Sequence, residues 1–146
     1  MTMMKRSKIV YSHSNPDTGE SVVTIQNKYG HFTGRTKCCP EDLDTFSPFV
    51  GERYAETRAA AAFARFRLNQ EKIKRDTICN YIKDCISNNL DINNKYVDHA
   101  YAKLHDYEDN IKYWTDVIDI LNNSISQQDK ERTRILERSK QNNLSK

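Results

Sequence analysis

The stretch Val97–Ile125, VDHAYAKLHDYEDNIKYWTDVIDILNNSI, decides the fold because its apolar residues recur at seven-residue intervals. The residues at the two repeating positions are Val97, Leu104, Ile111, Ile118 and Ile125, and then Ala100, Tyr107, Trp114 and Leu121. Four consecutive heptads of this kind are typical of a helix that pairs in a coiled coil. We call these residues the seam, and they predict a long second helix.

A first helix is predicted over Pro48–Ser87. Ser47 is a favoured N-cap residue, and proline is favoured at the first helical position. The run Ala59–Ala62 has the highest helix propensity, and its small side chains allow another backbone to come close. The Asn- and Asp-rich segment Asn88–Asn94 ends the helix because these residues compete for backbone hydrogen bonds. The two helices are therefore expected to form an antiparallel coiled coil.

The first helix follows the seven-residue repeat poorly, and its polar stretch Arg65–Arg75 is expected to be exposed. If the first helix cannot cover the whole seam, the seam of another copy of the chain can pack against the uncovered part, which predicts a dimer or a hexamer. The alternative is that the seam packs only against the first helix.

Residues before the helices have the composition of strands. Segments rich in β-branched residues predict strands at Ile9–Ser12, Ser21–Gln26 and His31–Cys38, with turns at Asn15–Gly19 and Asn27–Gly30. Gly34 interrupts the third strand and indicates either a bulge or a close backbone approach. The fold class is thus α+β, a three-stranded antiparallel β-meander followed by two long helices. Residues 1–46 would form a β-rich head and residues 47–146 a helical hairpin, within one cooperative domain.

Composition narrows the functional classes only slightly. The chain has 146 residues, 29% of them charged, and a formal net charge of +3, which neither demands nor excludes nucleic acid. The longest apolar run is too short to span a membrane, and no apolar stretch follows Met1, so we expect a cytoplasmic protein. The four cysteines are expected to be reduced thiols without a metal, because their spacing is unlike that of zinc modules. The sequence contains no phosphate-binding glycine loop and no known catalytic motif, so we expect no enzyme and no cofactor.

Two clusters favour ligand binding. The first contains Arg35, Lys37, Tyr54 and Arg58, with Phe32, Arg53 and Arg65 around them. Guanidinium groups there can pair with phosphates and an aromatic ring can stack on a base. The competing interpretation is that these arginines lie along an exposed helix and bind nothing. The second cluster surrounds the turn between the helices and contains Tyr81, Asn94 and Tyr96. These side chains could read a base, or the tyrosines could simply pack.

The segments Phe32–Asp42 and Phe49–Ala59 carry a resemblance. A strand ends in a segment with glycine and cysteine, a proline-acidic loop follows, and a helix begins with glycine, alanine and an Arg-Ala pair. This organisation resembles the phage Thoeris anti-defence sponges, which are small oligomers with an N-terminal β part and two long helices. Members sequester cyclic ADP-ribose isomers, and some also hold cyclic oligonucleotides, without cleaving them.

The resemblance implies a phage-encoded protein in the host cytoplasm that binds a cyclic ADP-ribose-type signal and blocks immune signalling. It implies that Arg58 faces a phosphate. Tyr81, Asn94 and Tyr96 match the family's turn residues by type only, and the basic tail offers Arg132 and Arg134 as further contacts. The helix pair is longer than is usual in the family.

Two other functions fit the sequence. The carboxylates between Asp98 and Asp119 could mimic nucleic acid in a phage inhibitor of a host nuclease, such as an anti-CRISPR, although they can also be a solvated helix face. The basic tail could bind DNA, which would make duplex binding steeply dependent on salt.

Overall fold

The computed structural model describes residues 6–38, 47–88 and 95–144, with side chains as far as residue 131. Three strands, β1 (Lys8–Asn15), β2 (Glu20–Asn27) and β3 (Gly30–Lys37), precede the helices α1 (Pro48–Ser87) and α2 (Lys95–Leu144). The predicted α+β class, the three strands and the bounds of α1 are confirmed. Association into oligomers and the coiled coil remain predictions.

Internal contacts group the chain into two compact units, to which both helices contribute. The sheet unit comprises Met1–Phe63 and Asp119–Lys146, and the helical unit comprises Ala64–Ile118. The division into a head and a helical hairpin at residues 46 and 47 stays a prediction.

The sheet is antiparallel with the strand order β1-β2-β3. Residues that face each other across β2 and β3 lie on the same side of the sheet. On one side, Ser21 is opposite Thr36 and Val23 is opposite Gly34, and all four are buried. On the other side, the Oγ1 atoms of Thr24 and Thr33 lie 2.9 Å apart. The sheet therefore has one core face and one solvated face.

Both predicted turns are present, and glycine allows each of them. Gly19 has φ 74° in the first turn, and Gly30 has φ 129° where β3 begins. Asn15 and Asn27 stabilise these turns with side-chain oxygens that accept the backbone N–H two residues later, at 2.9 and 2.8 Å.

Gly34 brings the sheet against α1. A Cβ atom at this position would collide with backbone atoms of Ala55, Arg58 and Ala59. The register around Gly34 is regular, whereas the irregularity lies between Ile9 and Tyr11 in β1. Of the two readings of Gly34, the close approach is confirmed and the bulge is wrong. The small side chains of Ala55 and Ala59 on α1 and the absence of a side chain at Gly34 on β3 together permit this contact.

An aromatic contact completes the core of the sheet unit. The ring of Phe63, 1% exposed, lies 5.0 Å from the ring of Phe32 and 5.8 Å from that of Tyr29. Cys38 is also buried, and its neighbour Cys39 lies outside the described residues.

Within each unit the two helices contact each other in opposite sequence order, as antiparallel helices do. In the helical unit, Glu71 of α1 contacts Asn110 and the amine of Lys74 lies 6.0 Å from the Tyr107 ring. In the sheet unit, Tyr54 contacts Glu131. Every seam residue is buried or half-buried, and Val97, Ala100 and Trp114 are the most enclosed.

The expectation that Arg65–Arg75 is exposed is wrong for Arg67 and Glu71. Their side chains are 7% and 2% exposed, and Arg67 Nη2 donates to Glu71 Oε1 at 3.2 Å. Arg67 Nη1 also donates to Gln70 Oε1 at 2.7 Å. Its guanidinium carbon lies 5.5 Å from the centre of the Trp114 ring. The charges are buried because each has partners within the helix pair.

Candidate anion-binding cleft

A cleft of about 200 Å³ opens where β2 begins and β3 ends. Its lining consists of Glu20, Ser21, Val22, Arg35, Thr36, Lys37 and Arg58. Three residues predicted from the sequence as ligand contacts, Arg35, Lys37 and Arg58, therefore come together in one place.

Strand register explains how β2 and β3 contribute to the cleft. Glu20 is opposite Lys37 and Val22 is opposite Arg35, so these four residues share the solvated face of the sheet. Alternation along β3 thus places two cationic residues on one face, two positions apart.

Arg58 reaches the cleft from α1. Its Nη1 donates to the backbone carbonyl oxygen of Arg35 at 3.4 Å, and its Nη2 lies 3.3 Å from Asp129 Oδ1 of α2. β3 is an edge strand, so this guanidinium satisfies a carbonyl group that has no neighbouring strand to pair with. The approach of α1 at Gly34 makes this reach possible.

Three cationic side chains and one carboxylate, Glu20, give the cleft an excess of positive charge. Guanidinium groups donate two parallel hydrogen bonds to phosphate or carboxylate oxygens, and an ammonium group adds a point charge. Sites that enclose a complete small ligand usually measure about 300–1,000 Å³. The cleft is therefore suited to the phosphate part of a ligand rather than to a whole nucleotide.

Tyr54, the fourth residue of the first predicted cluster, does not line the cleft. It is half-buried on α1, and its hydroxyl donates to Glu131 Oε2 at 3.5 Å. Its hydroxyl thus contacts α2 one helical turn before Arg58.

The second predicted cluster is described only in part. Tyr81 of α1 and Tyr96 of α2 are both exposed, and Asn94 lies outside the described residues. A hydrogen bond with Cys85 raises the pKa of the Tyr81 phenol above its usual 10.0, and the charge of a Cys85 thiolate, burial and Tyr96 add to the effect in that order. Both tyrosine rings are thus open to solvent, as stacking on a ligand would require.

The proposed contacts of the basic tail fall on side chains outside the described residues. Arg132 and Arg134 belong to the helical backbone of α2, and their side chains lie outside the described part of the chain. Their role stays a prediction.

Sequence reasoning missed Glu20 and Asp129. The two predicted strands and the turn at Asn27–Gly30 would have paired Glu20 with Lys37, so a usable signal for Glu20 existed. Asp129 lies 71 positions from Arg58 and was indistinguishable from the other polar residues that follow the seam.

Fold and cleft together define a class of protein, a three-stranded sheet with two long helices and a cationic cleft at the edge of the sheet. Comparison with models of known families, with curated proteins and with solved structures finds no match for this chain. Within the described ranges, neither helix has a segment apolar enough to cross a bilayer.

Proposed function

We propose that this protein sequesters a phosphate-bearing cyclic nucleotide, of the cyclic ADP-ribose type, without cleaving it. The observation that carries the proposal is the cleft lined by Arg35, Lys37 and Arg58. A pyrophosphate group presents several oxygen acceptors to these donors, and charge-assisted hydrogen bonds are roughly twice as strong as neutral ones. The same resemblance that singles out Arg58 adds support from the sequence.

In this proposal a second copy of the chain covers the part of the ligand that one cleft cannot enclose. A cleft of about 200 Å³ needs such a complement. The seam positions that are only half-buried, among them Leu104, Ile111 and Ile118, leave apolar surface for association. Tyr81 and Tyr96 are the candidates for stacking on a base, since their rings are exposed. A dimer or a hexamer in the host cytoplasm would then act as a sponge for the immune signal.

The test is ligand capture followed by release. Purified protein is incubated with cyclic ADP-ribose isomers, freed of excess ligand and heated, and the released molecules are weighed by mass spectrometry. Intact isomer at a fixed ratio to protein supports sequestration. A hydrolysed product would point to an enzyme instead, and no binding in titration calorimetry would reject the proposal.

A matched pair of variants locates the site. Arg35→Ala removes a guanidinium that makes no side-chain hydrogen bond or ion pair to any described residue, so it should leave the fold intact. Each hydrogen bond to a charged group contributes about 1.5–3 kcal/mol, so we expect affinity to fall roughly 10- to 100-fold. The control, Arg65→Ala, removes an exposed arginine of α1 that does not line the cleft and should change affinity little. Equal losses in both variants would mean that the ligand does not bind at this cleft.

A second function, inhibition of a host nuclease such as that of a CRISPR system, has one supporting observation. The carboxylates of α2 at Asp98, Asp106, Glu108, Asp109 and Asp116 are all exposed, as a mimic of nucleic acid requires. Capture of a host nuclease by the purified protein, unaffected by added cyclic nucleotides, would favour this function over sequestration.

A further inference from the structure

Arg58 is held in the cleft by two long contacts. Asp129 Oδ1 lies 3.3 Å from Nη2, and the Arg35 carbonyl oxygen lies 3.4 Å from Nη1. Charge-assisted N–H···O bonds are usually about 2.7–2.9 Å long, so neither contact is a tight one. The side chain of Asp129 is 57% exposed, and an exposed ion pair of this kind is easily exchanged.

Asp129 does not depend on Arg58 for its place on α2. One residue just before it and one two positions after it make their own contacts with α1. Gln128 Nε2 donates to Thr57 Oγ1 at 3.2 Å, and Glu131 accepts the Tyr54 hydroxyl. Asp129 is thus presented to Arg58 by a helix that is anchored independently of their ion pair.

We infer that Asp129 is a built-in competitor for the ligand's phosphate group, an inference that rests on the proposed function. A carboxylate and a phosphate use the same guanidinium donors, so Arg58 must give up Asp129 to bind a ligand bidentately. A pyrophosphate that also pairs with Arg35 and Lys37 can offset this loss. A singly charged anion that reaches only Arg58 gains little by the exchange.

A different role for Asp129, that of positioning Arg58, predicts the opposite change in ligand affinity. If its carboxylate positioned Arg58 for the ligand, removing the charge would weaken binding. If Asp129 acted only through the overall negative field of α2, any nearby carboxylate would have the same effect.

The experiment is titration calorimetry of the full chain with inorganic pyrophosphate at low salt. Asp129→Asn keeps the shape of the side chain and removes its charge. Exposed ion pairs contribute about 0.2–1 kcal/mol, so we expect pyrophosphate affinity to rise up to about fivefold. The control Glu131→Gln removes the same charge two residues away, where the contact is with Tyr54 and not Arg58. It should change affinity less than twofold, and thermal melting confirms that both variants are folded.

Each outcome bears on the inference. A larger gain for Asp129→Asn than for Glu131→Gln supports competition, and so does binding that appears only in Asp129→Asn. A loss of affinity in Asp129→Asn, or equal gains in the two variants, overturns it while leaving sequestration intact. Absence of binding in the parent protein and in both variants rejects the cleft as a phosphate site and takes the proposed function with it.

Discussion

Glu71→Ala removes a buried carboxylate that accepts hydrogen bonds from three side chains. The donors are Arg67 Nη2 at 3.2 Å, Asn110 Nδ2 at 3.2 Å and Lys74 Nζ at 3.4 Å. Without Glu71 the Arg67 guanidinium, whose side chain is 7% exposed, loses this carboxylate and keeps its contacts with Gln70 and the Trp114 ring. Breaking a buried ion pair from one side costs about 3–5 kcal/mol, and we expect about 3 kcal/mol because Gln70 remains. In a chain of this size that lowers Tm by about 10 °C.

The loss is measured by urea denaturation followed by circular dichroism. The control is Asp76→Ala, which removes an exposed carboxylate of α1 that pairs with Arg75 and should cost at most about 1 kcal/mol. A double variant, Arg67→Met with Glu71→Leu, removes both charges and should recover to within about 1 kcal/mol of the parent. If Glu71→Ala costs no more than Asp76→Ala, the pair is not desolvated and the reasoning is wrong.

Three further outcomes follow from local geometry. Gly34→Ala should lower the free energy of unfolding by about 1–3 kcal/mol in urea titrations, because the added Cβ meets the backbone of α1. The smaller conformational freedom of alanine in the unfolded chain would alone raise it by about 0.5–1 kcal/mol, so a gain in stability refutes the contact. Ser47→Ala should cost about 1 kcal/mol because Ser47 Oγ accepts the Val50 N–H at 3.4 Å, while Ser47→Asp should retain stability. The raised pKa of Tyr81 means that this group's contribution to stability is complete below pH 10.0 and is lost as pH rises through the raised pKa. Removing the hydrogen-bond partner with Cys85→Ala should lower the pKa of Tyr81, as measured by spectrophotometric titration.

Local sequence signals, namely capping residues, turn residues, composition and one seven-residue repeat, were enough to predict the elements of the fold. The bounds of α1 follow from its capping residues and the Asn-rich segment after it, and the strands were found within one to three residues of their ends. Period alone could not identify Arg67 and Glu71 as buried. Two charged residues four positions apart on a helix look like a surface pair, and only the contact of Glu71 with Asn110, 39 positions away, reveals their burial.

The sequence predicted Arg35, Lys37 and Arg58 as ligand contacts, but only the strand side of the cleft follows from a local pattern. Alternation along β3 is sufficient to place Arg35 and Lys37 on one face. Arg58 joins them only because α1 lies close to β3, and this distance depends on packing at Gly34. Predicting the contact of Asp129 with Arg58 would have required knowing which turn of α2 faces α1. That register depends on tertiary packing and leaves no signal in the local sequence.

Packing and ligand binding make different demands on the segments that carry the resemblance. Gly34, Ala55 and Ala59 are explained by the contact between β3 and α1, so any protein with this sheet-on-helix contact would favour them whatever it binds. Arg35 and Lys37 are exposed on the solvated face, so neither side chain is buried in the core. A resemblance that depends on these small residues therefore predicts only a fold. Arg35 and Lys37 are the residues that can distinguish a ligand-binding protein from another protein with the same packing. Substituting Arg35 and Lys37 together should abolish pyrophosphate binding, while the free energy of unfolding from urea titration stays within about 1 kcal/mol of the parent. Loss of both properties at once would mean that these side chains serve the fold.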